Sequence, residues 1–373
     1  MDVRNQVHDR YQQGANEREA ILCCPVDYDP QYLKIIPSEI LERDYGCGDP
    51  SRYARKGDCV LDLGSGGGKI CFIASQIVGE TGRVIGVDMT ADMLDLARSN
   101  APVIAKELGY GNVEFKRGHI EDLKTNLDNI DAKLKAKPVT NADEFEALLD
   151  DIAQNGEPMI GDNSIDLIVS NCVLNLVSDD KKKQLFAEMY RVLKPGGRIA
   201  ISDIVSDEIS PDHLKKDGKL WSGCISGALQ EKEFVQELGA AGFHGMNIDK
   251  YEQEPWQIVE GIEYRSVTVL AYKGKEGPSI EKNQAVIYKG PWKSVCDDDG
   301  HTFTRGERIA VCEKTFELMQ REPYDDQMVP VAPNIEVTSQ EEFPCCRSDI
   351  RSPQETKNGV ERITSEPSQG SCC

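Results

Sequence analysis

The run Cys59-Val-Leu-Asp-Leu63 is apolar except for Asp62, and Gly64-Ser-Gly-Gly-Gly68 follows it at once. An amphipathic stretch, about Ile70 to Val78, comes next. A strand that passes through glycines straight into a helix brings backbone close to whatever binds there, because glycine accepts positive φ without a Cβ penalty. The same rhythm continues along the chain. Val84–Val87, Val113–Phe115, Ile165–Ser170 and Arg198–Ile204 read as strands, with Arg265–Tyr272 as a late one. Helices are expected after Thr90 as N-cap, over Lys181–Leu193 and over Glu231–Leu238. Strands alternating with helices predict a doubly wound α/β sheet.

Several regions leave that rhythm. Residues 1–50 read as helical and loop segments broken by Pro25, Pro30, Pro37 and Gly46, ahead of a main domain over 51–275. Residues 124–162 form an acidic insertion with helix-favouring composition between the third and fourth strands. Over 276–329, Ala285–Tyr288, Thr302–Phe303 and Arg308–Val311 read as short strands around the turn Asp297-Asp-Asp-Gly300, and Lys314–Gln320 as a helix. That is a small α+β module. From 330 to 373 the chain is rich in Pro, Ser, Glu and Gln, so a disordered, cysteine-containing tail is expected.

Charge narrows the function. The 373 residues carry 43 Lys+Arg against 64 Asp+Glu, a net charge of -21, which repels nucleic-acid phosphates and anionic lipid. No run of 18 apolar residues is present, and the first twenty residues lack an apolar core, so a cytoplasmic location without membrane contact is expected. There the 13 cysteines are thiols rather than a disulfide framework. No two of them are separated by two to four residues, so neither zinc-type nor C-x-x-C spacing occurs. The bland reading of any one is a small buried hydrophobe.

Three readings of the glycine loop compete. A P-loop would need glycine at Leu63 and Ser or Thr at Ile70, and fails twice. A dinucleotide fingerprint starting at Gly64 would need glycine at Lys69. The first motif of S-adenosylmethionine-dependent methyltransferases, an acid in the strand before Gly-x-Gly-x-Gly, is matched by Asp62, Gly64, Gly66 and Gly68, with Ser65 between them. Asp88, after the second strand and followed by Met89, stands where a carboxylate can accept both ribose hydroxyls. The alternative is a surface turn aspartate. Ile120 and Glu121 after the third strand would flank an adenine, and Asn171 after the fourth would meet the methionine end. Each is weak alone, but together they follow consecutive strand ends, where open α/β sheets bind ligands.

Four cysteines fall along that same edge. Cys47 lies in a loop before the first strand, Cys71 in the first turn after the glycine loop, Cys172 directly after Asn171, and Cys224 after the fifth strand. Cys71 there is expected to have a lowered pKa from the helix dipole. Cys59 reads as packing within the first strand, and Cys296 and Cys312 as structural. The pairs Cys23-Cys24, Cys345-Cys346 and Cys372-Cys373 stay open between capture of a soft, low-coordinate ion and incidental thiols.

The segments Ser170-Asn-Cys-Val-Leu-Asn-Leu176 and Trp221-Ser-Gly-Cys-Ile-Ser-Gly-Ala-Leu229, with Val84–Thr90 and Arg191–Gly197, resemble those of arsenite methyltransferases. The resemblance spans about residues 40–275, and the C-terminal module more loosely. It implies a class I methyltransferase fold (Rossmann-like), S-adenosylmethionine as methyl donor, an arsenic-binding segment over 205–245, and Cys47, Cys71, Cys172 and Cys224 as functional. Arsenite and methylarsenite would be the substrates, and mono-, di- and trimethylated arsenicals the products. Trivalent arsenic suits three thiolates, and its lone pair needs no general base. On this reading Cys71, Cys172 and Cys224 hold arsenic, Cys172 and Cys224 permanently. The resemblance further implies that Cys47 and Cys71 then form a disulfide, which thioredoxin or glutathione reduces. The insertion at 124–162 departs from the family pattern. Trp221 is read as loop packing against a sulfonium contact, and Tyr11 either as closing over the cofactor or as an ordinary amphipathic-helix tyrosine. Competing functions are methyl transfer to an organic acceptor such as a quinone or sterol, and thiol-rich arsenic binding without turnover.

Overall fold

The computed structural model describes residues 7, 10–12, 26–43, 45–338, 340–344 and 349–357. The chain divides into two units, one up to Lys273 and one from Gly274. In the first, strands β1 (Cys59–Leu63), β2 (Arg83–Asp88), β3 (Val113–Arg117), β4 (Ile165–Asn171), β5 (Leu193–Ser206), β6 (His244–Tyr251), β7 (Gln257–Val259) and β8 (Ile262–Tyr272) build one sheet. Its order is β3-β2-β1-β4-β5-β8-β6, with β7 on β8. Strands β1 to β5 pair in parallel, whereas β8 runs antiparallel to β5, β6 and β7. The reversal of order beside β1 is a topological switch point, the place where such sheets open a crevice.

Side-chain alternation explains the two layers. Leu61, Leu63, Ile85, Val87, Ile199 and Ile201 enter one core cluster, and Val60, Val84, Val169 and Ala200 enter the other. That is a period of two with both faces buried, as parallel sheets require. Helix α1 (Lys69–Val78) and helix α2 (Ala91–Leu108) cover the second face. Helices α5 (Asp179–Val192) and α6 (Glu231–Ala240) cover the first through Leu185, Phe186, Met189, Phe234 and Leu238. Thr90 takes the N-cap position of α2 but makes no side-chain cap bond; Asp88 Oδ1 instead accepts from its amide at 2.8 Å.

The 124–162 insertion folds as two helices, α3 (Leu127–Ala136) and α4 (Ala142–Asn155), capped by Asn126 and Asn141. The excursion leaves and returns at one place: the amides of Ile160 and Met159 donate to the carbonyls of Leu123 and Lys124 at 2.9 and 2.8 Å. No residue of α3 is buried, and its links outward are ion pairs such as Arg117–Asp131 at 2.7 Å.

The second unit holds an antiparallel sheet of β12 (Arg308–Val311), β9 (Gln284–Tyr288) and β13 (Met328–Val331), a two-stranded sheet of β10 (Ser294–Cys296) and β11 (Thr302–Thr304), and helix α7 (Glu313–Leu318). Order continues past 329, where the tail was expected to begin. Glu342 bridges Ile280, Ile350 bridges Ile309, and Arg351 pairs with Glu281 at 2.6 Å. These contacts use single apolar and charged residues in a polar stretch, so composition does not announce them. Residues 358–373 lie outside the described residues.

Phe186 is 1 % exposed and packs near Phe234, ring centroids 6.3 Å apart. Phe186→Ala should lower the unfolding free energy by about 3–5 kcal/mol, read by urea denaturation; a loss below about 1 kcal/mol would contradict this packing.

Candidate active site

The C-terminal ends of β1 to β4 open into one cavity. Its wall contains Asp62, Gly64, Ser65 and Gly66 from β1 and the glycine loop, Asp88 and Met89 after β2, Ile120 and Glu121 after β3, and Asn171 and Cys172 after β4. Nine of the ten residues expected to bind a cofactor are therefore gathered there. The tenth, Gly68, is the N-cap of α1 with φ 89°, where an added Cβ would strike Phe115 and Phe72. It shapes the turn without lining the cavity.

Four amides of the glycine loop are taken up, three of them by β2 and Asp88. Gly64 and Ser65 donate to the carbonyl of Val87 at 2.8 and 3.0 Å, Gly66 to Asp88 Oδ2 at 2.9 Å, and Gly68 to the carbonyl of Ser65 at 2.8 Å. Gly64 has φ 75° and lies against Val173, so a side chain is excluded there twice over. Asp88 is thus a brace of the loop. Burial raises its pKa, and the backbone bonds from Thr90 and Gly66 work the other way. Each carboxylate oxygen keeps a second lone pair for a ligand. Ser65 Oγ is buried and has no hydrogen-bond partner among the described residues, an orphaned polar atom in the cavity wall. Glu121, 6 % exposed, lies 3.5 Å from Lys181 Nζ.

Three cysteines meet beside this cavity. Cys47, Cys172 and Cys224 share one buried cluster with Ile204, Ile225 and Tyr264. Cys47 and Cys172 form a disulfide with Cα atoms 5.9 Å apart. The expected partner of Cys47 was Cys71, so the pairing differs from that implied by the resemblance. The reason is the approach of two loops: Asn171 Oδ1 accepts from the amides of Cys47 and Gly48 at 2.9 and 3.1 Å, which lays Cys47 beside the residue that follows Asn171. Cys224 Sγ donates to the carbonyl of Cys172 at 3.1 Å. Both Cys172 and Cys224 have left-handed backbones, φ 58° and 60°, a strained conformation for a residue with a Cβ. Nothing in residue type or spacing signals that.

Cys71 lies elsewhere. It is fully buried within the α1 face cluster, and its Sγ donates to Asp62 Oδ2 at 3.2 Å. Its pKa is pushed well up by burial and then by the Asp62 charge, the reverse of the expected lowering. Desolvation and a neighbouring carboxylate outweigh the dipole of the helix start.

Tyr11 does reach the cavity. Its hydroxyl lies 4.0 Å from Cys224 Sγ and its ring stands edge-on to Tyr45 at 6.0 Å. Burial, then Cys224, raises the Tyr11 pKa. Trp221 packs the loop that carries Cys224, with Nε1 donating to the carbonyl of Leu176 at 3.3 Å and Lys182 Nζ 5.3 Å from its ring. Cys59 is half-buried at the start of β1, Cys312 is buried and accepts from the Thr315 amide at 3.4 Å, and Cys296 is exposed. The three adjacent cysteine pairs lie outside the described residues. Arg43 and Tyr45 also line the cavity. They sit in the irregular stretch before Cys47, where no periodic pattern marks them.

A methyltransferase-domain model matches residues 54–144 and 134–242, and a model described as a domain of unknown function matches 275–361. An arsenite methyltransferase of Aquipseudomonas alcaligenes is 32% identical over 83% of this chain and 84% of its own length. The human arsenite methyltransferase is 31% identical over 77% of this chain and 71% of its own. The crystal structure of an arsenic(III) S-adenosylmethionine methyltransferase from Chlamydomonas reinhardtii covers 86% of this chain and all of that one, with 27% identity and a TM-score of 0.56. No described helix is long and apolar enough to cross a membrane. With its S-adenosylmethionine-type glycine loop, its cavity at the strand ends and these relatives, the chain belongs to the arsenite methyltransferase family of S-adenosylmethionine-dependent methyltransferases.

Proposed function

We propose that this protein methylates trivalent arsenic held by Cys47, Cys172 and Cys224. The observation that carries the reading is the convergence of three sulfurs at the rim of the cavity, with Cys172 in its wall. S-adenosylmethionine supplies an electrophilic methyl group. The donor set fits that cofactor: Asp88 keeps lone pairs for ribose hydroxyls, and Ser65 Oγ is an unpaired polar atom in the wall. Once reduced, Cys47, Cys172 and Cys224 are the three ligands, and Cys224 is the one that stays a thiolate when the other two pair. Three soft thiolates leave the arsenic lone pair free, so the protein must align it with the methyl group and need not remove a proton.

The redox balance closes on the same sulfurs. Methyl transfer raises arsenic from the trivalent to the pentavalent state. Oxidation of two thiols to one disulfide returns two electrons and releases a trivalent methylated product. Cys47–Cys172 is a pair able to supply them, and a small thiol or dithiol protein such as glutathione or thioredoxin would then reduce it. Product methylation then proceeds through the mono- and dimethyl stages as methylarsenite re-enters the site. Methyl transfer to an organic acceptor would leave the clustered sulfurs without a role, and sequestration without turnover would leave the cavity without one.

Asp203 holds the thiol loop. It is 2 % exposed and accepts from the amides of Leu174 and Ile204 at 2.9 and 2.8 Å, while Asn175 Nδ2 donates to the carbonyls of Ile204 and Cys224 at 2.6 and 3.4 Å. Burial pushes the Asp203 pKa up to about 6. Because the folded value is above the unfolded one, the neutral form favours folding. That stability is fully present below about pH 4 and is lost as pH rises through about 6.

Two outcomes are expected. Cys172→Ser and Cys224→Ser should each abolish methylated arsenic, measured by chromatographic separation with elemental detection after incubation with arsenite, S-adenosylmethionine and a thiol reductant; unchanged turnover would sink the ligand assignment. Asp203→Asn should gain about 2–3 kcal/mol relative to wild type between pH 4 and pH 7 in denaturant titrations, and a pH-independent difference would show that Asp203 titrates normally.

A further inference from the structure

Charge in the cavity wall is one-sided. Asp62, Asp88 and Glu121 are acids, and Arg43 is the single guanidinium or ammonium group among the described lining residues. Arg43 is half-buried and pairs with no carboxylate among the described residues. Its position is fixed from both sides. It follows the short helix Ser38–Glu42, whose Ile40 is 1 % exposed and whose Glu39 accepts from Asn100 Nδ2 at 2.8 Å. Just beyond it, Cys47 and Gly48 are pinned by Asn171. Arg43 therefore belongs to the segment that closes over the ends of β1 and β4.

S-adenosylmethionine carries two cationic groups, the sulfonium and the α-ammonium, and one anionic group, the α-carboxylate. With Asp88 on the ribose and Glu121 at the adenine end, Asp62 is the acid of the wall that suits the first two. The carboxylate needs donors, and the obvious ones are spent. The amides of Gly64 and Ser65 go to the carbonyl of Val87, that of Gly66 to Asp88 and that of Gly68 to the carbonyl of Ser65, so none of these four is presented to an anion. Asn171 Nδ2 donates to the carbonyl of Gly48 at 2.7 Å and to Tyr28 Oη at 3.2 Å. A planar guanidinium matches a carboxylate in charge and in paired N–H geometry. We propose that Arg43 is the anion-recognition residue of this cavity and takes the α-carboxylate of S-adenosylmethionine. The proposal rests on reading the cavity as the cofactor site, and it adds a residue to the cofactor set that the strand-end series does not contain.

The test is equilibrium binding by calorimetry, with S-adenosylmethionine and its decarboxylated analogue as probes. Wild type should bind the intact cofactor about 10- to 100-fold more tightly than the analogue, the margin expected of a charge-assisted hydrogen-bonded pair. Arg43→Ala should erase that margin while binding the analogue as wild type does, and Arg43→Lys should keep part of it. Equal weakening of both probes in Arg43→Ala would overturn the proposal, since the residue would then merely support the cavity. An unchanged margin in Arg43→Ala would overturn it as well. If wild type bound neither probe, the cofactor reading itself would fall, and the proposal with it.

Discussion

The side-chain amide of Asn171 is the contact on which the site depends. It stands at the end of β4 and spends both its ends on the chain before β1: Oδ1 on the amides of Cys47 and Gly48, Nδ2 on the carbonyl of Gly48 and on Tyr28. Asn171 is 8 % exposed, so these bonds are made largely away from water, where an unmade one is costly. The clamp closes the chain before β1 over the sheet edge. It thereby brings Arg43 and Tyr45 to the cavity and Cys47 to Cys172. The loop is held again from β8, where Ser266 Oγ donates to the carbonyl of Cys47 at 2.7 Å.

The cavity and the sulfur cluster then share a wall at Cys172. On one side the glycine loop and the Asp88 brace form a surface that satisfies itself before any ligand arrives. On the other, Asp203 and Asn175 hold the turn after Cys172 and tie it to the Cys224 loop. The left-handed backbones of Cys172 and Cys224 survive because these buried bonds over-determine them. Cofactor geometry and thiol geometry are coupled through a few residues after β4, which is what a transfer between them needs.

The parallel core was legible in the sequence because buried strands read as continuous apolar runs, and β1, β2 and β4 begin and end close to where those runs do, whereas β5 starts at Leu193, ahead of the expected Arg198 and through Lys194-Pro-Gly-Gly197. That Asp88, Ile120 and Glu121 line the cavity was legible because crevices in such sheets open at strand ends. Strands β6 and β7 were not: their antiparallel, edge or near-edge positions leave polar residues such as Asn247, Asp249 and Gln257 in them, which blurs the pattern. The role of Asn171 as a clamp was hidden because it needs a partner 123 or 124 residues away. Cys71 misled for a related reason. Its place at a helix start suggests an activated thiol, but the carboxylate beside it comes from β1 and is visible only in three dimensions.

The central claim is that Cys47, Cys172 and Cys224, and not Cys71, form the arsenic site. Arsenic K-edge X-ray absorption on the reduced protein with one equivalent of arsenite tests it most directly. The account predicts three sulfur neighbours in wild type and in Cys71→Ser, and two in Cys47→Ser and in Cys224→Ser. Loss of a sulfur neighbour in Cys71→Ser, with Cys47→Ser unchanged, would contradict it.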